Sequence, residues 1–318
     1  MEFDRDVTVL LIEDSPEWAP IAGQRLLREL DGCAKVVQHA SLEEAKGTLL
    51  EGGFDCVLLD LMLPDSSGLE TVRGVRTRAP QAPIVVLSGE EDESIALRAV
   101  HEGAQDYLVK GRADGYQVRR AIRYAIERKM AELELAHRAT HDELTGLPNR
   151  TLFLDRLGLT LGRLERRSRA AAVLFLDLNH FKSVNDRFGH EVGDELLTAV
   201  GARLQFLVRP GDTVARFGGD EFMLLCDDIA SEEDAMAVAD RLGAELELPF
   251  EVGEDIDVTV GASIGIVVAE DSRRPPEVLI RDADRGMYAA KRRSGRWELV
   301  RPGEEPNAAP SKTSAVTA

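Results

Sequence analysis

A chain of 318 residues, 44% hydrophobic and 30% charged, has the length for about two domains and the composition of a globular protein. Its net charge of −18 argues against bulk nucleic-acid binding, and no apolar run approaches the ~20 residues that span a bilayer. Three scattered cysteines (Cys33, Cys56, Cys226) and an acidic start unlike a signal peptide point to a reducing cytoplasm, small core thiols and no structural zinc.

Residues 1–117 carry 11 basic and 22 acidic side chains. Five Val/Leu/Ile-rich runs recur there: Val7–Asp14, Ala34–Ala40, Phe54–Asp60, Pro83–Ser88 and Asp106–Lys110. Nearly continuous apolar runs suit strands buried on both faces, and the spacers between them have helical length and period. The alternation predicts a doubly wound parallel sheet, which binds ligands at the carboxyl ends of its strands. Those ends carry Glu13, Asp14, Asp60, Ser88 and Lys110. Three acids, a hydroxyl and an amine suit Mg²⁺ and a phosphoryl group. Any one of them alone reads as a strand cap.

This segment resembles a response-regulator receiver domain, flavodoxin-like in fold, on Ile12-Glu-Asp14, the Leu58–Pro64 run, Leu87-Ser88 and the Asp106–Lys110 run. The resemblance implies that Asp60 is the phosphoacceptor, fed by a histidine kinase or other phosphodonor. It also implies that Glu13, Asp14 and Asp60 hold the metal and that Lys110 contacts the phosphoryl group, with Ser88 and Tyr107 as switch positions. The loop Asp65-Ser66-Ser67-Gly68 departs from the family's usual Gly-x-Asp-Gly.

From Val118 apolar residues recur at Ile122, Ile126, Met130 and Leu133, spaced 4, 4, 4 and 3. That is one face of a helix, over a linker taken as 118–141 with net charge +3. Its first turns are expected to pack on the preceding sheet. Its later turns either pair with a second chain or stay solvated.

The segment 142–302 opens with a turn in which Asn149 can cap a new helix. An apolar strand from Ala170 ends in Asp177, and a helical stretch follows. Two strand-like runs then flank Gly218-Gly219-Asp220-Glu221-Phe222. A Gly-Gly pair turns tightly, and adjacent carboxylates offer hard cations oxygen ligands. Alone this is an ordinary hairpin with solvated acids. A further helix, a β-rich region at Ile256–Val268, a helix near Pro276–Arg292 and a strand at Trp297–Val300 complete the segment. The order predicts an α+β, ferredoxin-like domain with a mostly antiparallel sheet and helices on one face. Asp177 then lies beside the Asp220-Glu221 turn.

Residues ~140–300 resemble a GGDEF-type diguanylate cyclase domain, nucleotidyl-cyclase-like in fold. The resemblance rests on the Asp142–Arg150 run, Leu176–Asp186, Phe188–Asp194, Gly218–Phe222, Ser263–Ile266 and Asp284–Lys291. It implies a homodimer in which each chain binds one GTP and two GTP become cyclic di-GMP and two pyrophosphates. Asp177, the Leu178 carbonyl and Asp220 would hold Mg²⁺ (or Mn²⁺). Asp220, with Glu221 beside it, would help deprotonate the 3′-hydroxyl, and Lys182 would stabilise phosphate charge. Asn185 and Asp194 would read guanine. Lys291 and Arg296 would contact phosphates, but one inserted residue in Lys291–Trp297 leaves Arg292 or Arg293 open for part of that role. Arg209 and Asp212 match the family's inhibitory product site.

Residues 303–318, rich in Pro, Ala, Ser and Thr, read as a disordered tail. The leading expectation is a cytoplasmic, phosphorylation-controlled diguanylate cyclase. Its main rival is a non-catalytic cyclic di-GMP receptor. A cyclic di-GMP hydrolase lacks a Glu-Ala-Leu-type domain, and a transcription factor lacks a DNA-reading helix.

Overall fold

The computed structural model describes residues 7–16, 34–89, 93–164, 169–253 and 256–301. Cys33 and the 303–318 tail lie outside them. The chain divides into two compact units at Leu135/Ala136.

The first unit runs β1 (Val7–Ile12), β2 (Ala34–His39), α1 (Leu42–Glu51), β3 (Cys56–Asp60), a hairpin of β4 (Met62–Leu63) and β5 (Ser66–Ser67), α2 (Leu69–Arg78), β6 (Ile84–Ser88), α3 (Glu93–His101) and β7 (Asp106–Val109). The five main strands are parallel in the order β2-β1-β3-β6-β7. This is the doubly wound order with its crevice at the ends of β1 and β3. Period-2 alternation splits the strands between two cores. Leu10, Ile12, Val57 and Leu59 face one layer. Val9, Leu11, Cys56 and Leu58 face Ala121, Ile122 and Ala125 of α4 (Gly115–Thr140). The first turns of α4 thus cover the sheet, and the rest of the 26-residue helix continues past it.

The second unit runs α5 (Arg150–Leu164), β8 (Ala170–Leu178), α6 (Phe181–Phe188), α7 (His190–Leu207), β9 (Thr213–Gly218), β10 (Glu221–Ile229), α8 (Glu232–Leu246), β11 (Phe250–Val252), β12 (Ile256–Val258), β13 (Ala262–Ala269), α9 (Pro276–Arg293) and β14 (Trp297–Leu299). Its main sheet is ordered β14-β13-β8-β10-β9, antiparallel except for β13 with β14.

Two expectations change. Helices cover both faces of this sheet, not one. Ala172, Leu174 and Leu176 of β8 pack with α6, α7 and α8, whereas Ala171, Val173 and Phe175 pack with α5 and α9. The unbroken apolar run of β8 signals burial on both sides. The β-rich stretch after Ile256 also divides. β12 pairs with β11 in a separate hairpin turned at Gly253 (φ +61), and only β13 joins the main sheet.

Candidate active site

Asp177 lies next to last in β8, in register with Glu221 of β10 and Ser263 of β13. Between β9 and β10 the chain reverses through Gly219 and Asp220, with Gly218 paired to Glu221. Gly218 and Gly219 adopt φ +138 and +54, conformations that L side chains rarely take. The Leu178 amide donates to the Asp220 carbonyl at 3.2 Å, which fixes the turn against the end of β8. Asp177, Asp220 and Glu221 are therefore neighbours at one end of the sheet.

Charge crowding follows. Burial, then the nearby Asp177, push the Asp220 carboxyl above its ordinary range. Burial raises Glu221 too, with Asp284, Asp177 and Asp220 adding to it. Asp284 on α9 is raised by burial and then by Asp177. The Lys291 ammonium, about two turns further along α9, ion-pairs with Asp177. Like charges held together this way favour a cation among them, and all the donors are carboxylate oxygens, the ligand type of Mg²⁺.

Other predicted residues sit around this cluster. Lys182 is exposed on α6. Asn185, half-buried, turns its Oδ1 onto Gly193 of α7, where a Cβ would fall 1.8 Å away. Asp194 is exposed on the next residue of α7. Arg296 pairs with Glu247 at 2.8 Å and lies against Gly243 of α8. Arg293 pairs with Glu298 at 2.9 Å.

Two residues beside the cluster received no role in the sequence reading. Arg216 is 9% exposed, and its guanidinium donates to Asp142 Oδ1 at 2.8 Å and twice to the Gly219 carbonyl, at 3.1 and 2.8 Å. It holds the acidic turn from beneath. Burial works against the Asp142 carboxylate, but hydrogen bonds from Arg216 and Thr145 outweigh it and keep Asp142 below the usual range. An arginine inside an apolar strand two residues before Gly-Gly was the available signal. Asp284 is the second; its position seven residues before Lys291, on the same helical face, was the clue.

Arg209 and Asp212 lie at the other end of β9 and β10, a strand length or roughly 17 Å from the turn. Arg209 Nε reaches Asp212 at 3.4 Å, and its Nη2 donates to the carbonyls of Asp227 and Asp228. They line a cleft of about 540 Å³ together with Arg169, Arg241 and Asp234. Burial pushes Asp212 up despite Arg209.

In the first unit Lys110 Nζ lies 2.6 Å from both Glu13 and Asp60. Glu13, Asp14 and Asp60 can each present an oxygen within 4.8 Å of the others. Burial raises Glu13, partly offset by Lys110. Burial opposes the Lys110 charge, yet Asp60 and Glu13 raise it overall. Ser88 is buried at the end of β6, its carbonyl accepting from the Lys110 amide at 2.7 Å, and Tyr107 is half-buried on β7. The unusual loop after Asp60 has a structural task. Asp65 accepts from the Leu42 and Glu43 amides at 3.2 and 2.8 Å, which supplements the Ser41 cap of α1.

The family model of the response regulator receiver domain matches residues 9–123, and that of the diguanylate cyclase GGDEF domain matches residues 139–296. The chain carries a response regulator receiver domain followed by a GGDEF domain. Response regulator PleD of Caulobacter vibrioides is 30% identical over 306 residues, covering 92% of this chain and 65% of PleD. Diguanylate cyclase TpbB of Pseudomonas aeruginosa is 41% identical over 160 residues, covering 50% of this chain but only 37% of TpbB. The chain therefore spans less than two thirds of each of these relatives. Among solved structures, the coiled coil and GGDEF domain of DgcB from Caulobacter crescentus, in complex with c-di-GMP, matches with a TM-score of 0.50 at 26% identity, covering 58% of this chain and 98% of that one. No helix among the described residues is long and apolar enough to cross a membrane.

Proposed function

We propose that this chain is a phosphorylation-controlled diguanylate cyclase that condenses two GTP into cyclic di-GMP and two pyrophosphates as a homodimer in the cytoplasm. The observation that carries the reading is the convergence of Asp177, Asp220 and Glu221 at one turn, where burial and then the neighbouring acids raise the Asp220 and Glu221 carboxyls. Asp177, Asp220 and the Leu178 carbonyl would hold Mg²⁺ or Mn²⁺. That ion, when bound, supplies positive charge for the triphosphate and acidifies the 3′-hydroxyl.

The chain's own groups do the rest. Asp220, beside Glu221, is the group assigned to accept the hydroxyl proton. Lys291 is a cation held at the cluster by Asp177, so it is within reach of phosphate charge once the acids are otherwise neutralised. Lys182, exposed on α6, adds to that charge. Arg296 contributes to phosphate only by leaving Glu247. Asn185 and Asp194 take the guanine edge, since a carboxylate accepts from N1–H and N2 amine, which adenine lacks.

Each GGDEF-type domain holds half of the reacting pair, so orientation and effective concentration in the dimer govern rate. Phosphoryl transfer to Asp60, in contact with Lys110, would bias that arrangement. Product would bind Arg209 and Asp212 in the cleft shared with Arg169 and Arg241. The same cleft favours the second reading, a receptor without catalysis. Incubating purified protein with GTP and Mg²⁺ and separating nucleotides by chromatography decides between them. Cyclic di-GMP formation that disappears in Asp177→Asn supports the enzyme; binding of cyclic di-GMP without turnover supports the receptor.

A further inference from the structure

β8 ends at Leu178, and the backbone there bonds to a different neighbour at each step. The Leu178 amide donates toward β10, to the Asp220 carbonyl at 3.2 Å. The Asn179 amide donates the other way, to the Gly261 carbonyl beside β13, at 2.8 Å. In an extended strand the N–H and C=O of one residue point to the same side, and those of the next residue to the other. A trans peptide also sets its C=O opposite its N–H. Both rules aim the Leu178 carbonyl away from β13 and toward the Asp220 turn.

The strand stops at that point. His180 takes a left-handed conformation, φ +62, and α6 starts at Phe181. Beyond Asn179 the ladder no longer fixes the plane of this last peptide, and a side-chain bond takes over. Ser263 Oγ donates to Asn179 Oδ1 at 2.9 Å. Ser263 is 2% exposed on β13, in register with Asp177. Asn179 is half-buried, and its Nδ2 lies over Gly261, where a Cβ would come to 3.4 Å. Both ends of the Asn179 side-chain amide thus rest on β13 and the residues leading into it. Leaving either partner of such a buried bond unpaired costs its desolvation.

We propose that Asn179 and Ser263 are a positioning pair, which locks the Leu178–Asn179 peptide so that the Leu178 carbonyl stays aimed at the metal that Asp177 and Asp220 would hold. The inference rests on the metal role of the acidic turn in the proposed function, and adds the residues that orient its one uncharged ligand. The Asn179 side chain is turned to Ser263, so it acts through Leu178 and not as a ligand itself. Mg²⁺ demands near-ideal octahedral geometry, so a carbonyl swung off line weakens its binding. Outer partners that orient metal ligands typically carry about 10–100-fold in metal affinity.

The test uses the full chain carrying Asp14→Asn, which removes one carboxylate from the separate acid group of the first unit. Free Mn²⁺ is measured by electron paramagnetic resonance during a titration run well below the melting temperature. The Mn²⁺ binding that Asp177→Asn removes belongs to the acidic turn. Ser263→Ala and Asn179→Leu should each weaken that binding about tenfold or more. The double variant should be no weaker than the worse single one, because the two side chains act as a unit. Asn179→Asp keeps an oxygen for the Ser263 hydroxyl and should recover the affinity lost in Asn179→Leu. Unchanged Mn²⁺ affinity in Ser263→Ala, which loses only a hydroxyl, overturns the proposal even if its melting temperature falls, since that is the mark of a merely structural bond. Additive losses in the double variant overturn it as well. Failure of the underlying reading has a different signature: Mn²⁺ binding would be equal in the parent and in Asp177→Asn, and the positioning role would fall with it.

Discussion

Arg216 and Asp142 meet at 2.8 Å across 74 residues of sequence, and through that contact the opening turn of the second unit grips the acidic hairpin. The same guanidinium holds the Gly219 carbonyl, so one side chain sets the position of Asp220.

Removing either partner should loosen the turn and lower the melting temperature of the second unit. Arg216→Ala is expected to cost about 2 kcal/mol, under the ~3–5 of a fully buried pair, because Asp142 retains some solvent access. Cyclic di-GMP formation should fall further than stability does, as Asp220 loses its register. Thermal melting and nucleotide chromatography read the two effects.

Divalent metal should stabilise the second unit, and Asp220→Asn should abolish that gain while reducing turnover by about 100-fold or more. Differential scanning fluorimetry with and without Mg²⁺ measures the first effect.

The pH dependence has a definite sign. Asp220, Glu221 and Asp284 have raised folded-state values, so their charged forms disfavour the fold at neutral pH. Without metal, the melting temperature of this unit should rise as pH falls toward those raised values. Asp142 acts oppositely. Its depressed value gives stability that is present above the ordinary aspartate range and lost as pH falls through its folded value. A melting curve against pH should therefore rise, then fall on acidification, and Mg²⁺ should flatten the rising limb.

Gly193→Ala should weaken GTP binding. The new Cβ would lie 1.8 Å from Asn185 Oδ1, so Asn185 must move. Overpacking of this kind costs about 1–3 kcal/mol. A raised KM for GTP with a smaller change in kcat is the expected kinetic outcome.

In the first unit, Asp60→Asn should remove any response of turnover to a small-molecule phosphodonor. Asp65→Ala should leave the Leu42 and Glu43 amides without their acceptor, at about 1 kcal/mol, while Ser41 still caps α1 through the Glu44 amide, and should leave phosphoryl uptake in place, as judged by melting and by phosphate-affinity electrophoresis.

Much of this molecule could be read directly from its residues. The strands of the first unit follow from apolar runs, and the pocket residues follow from where those runs end, because a parallel sheet gathers its strand termini at one edge. The Gly-Gly turn was equally plain, since positive φ at Gly218 and Gly219 admits little else.

Local pattern could not say what Arg216 and Arg296 would reach. Both are arginines beside a glycine motif, yet one is buried on Asp142 and the other is paired with Glu247. Which acid lies within reach of a long cation depends on packing between elements far apart in sequence. The same holds for the second helical layer on β8 and for Asp284 beneath the acid cluster. Sequence alone determined the elements, the turn and the identity of the acids, because these depend on backbone preference and short-range period. Tertiary structure decided which charges face one another, because Coulomb energy depends on distance and burial, and neither exists until the sheet has closed on its helices.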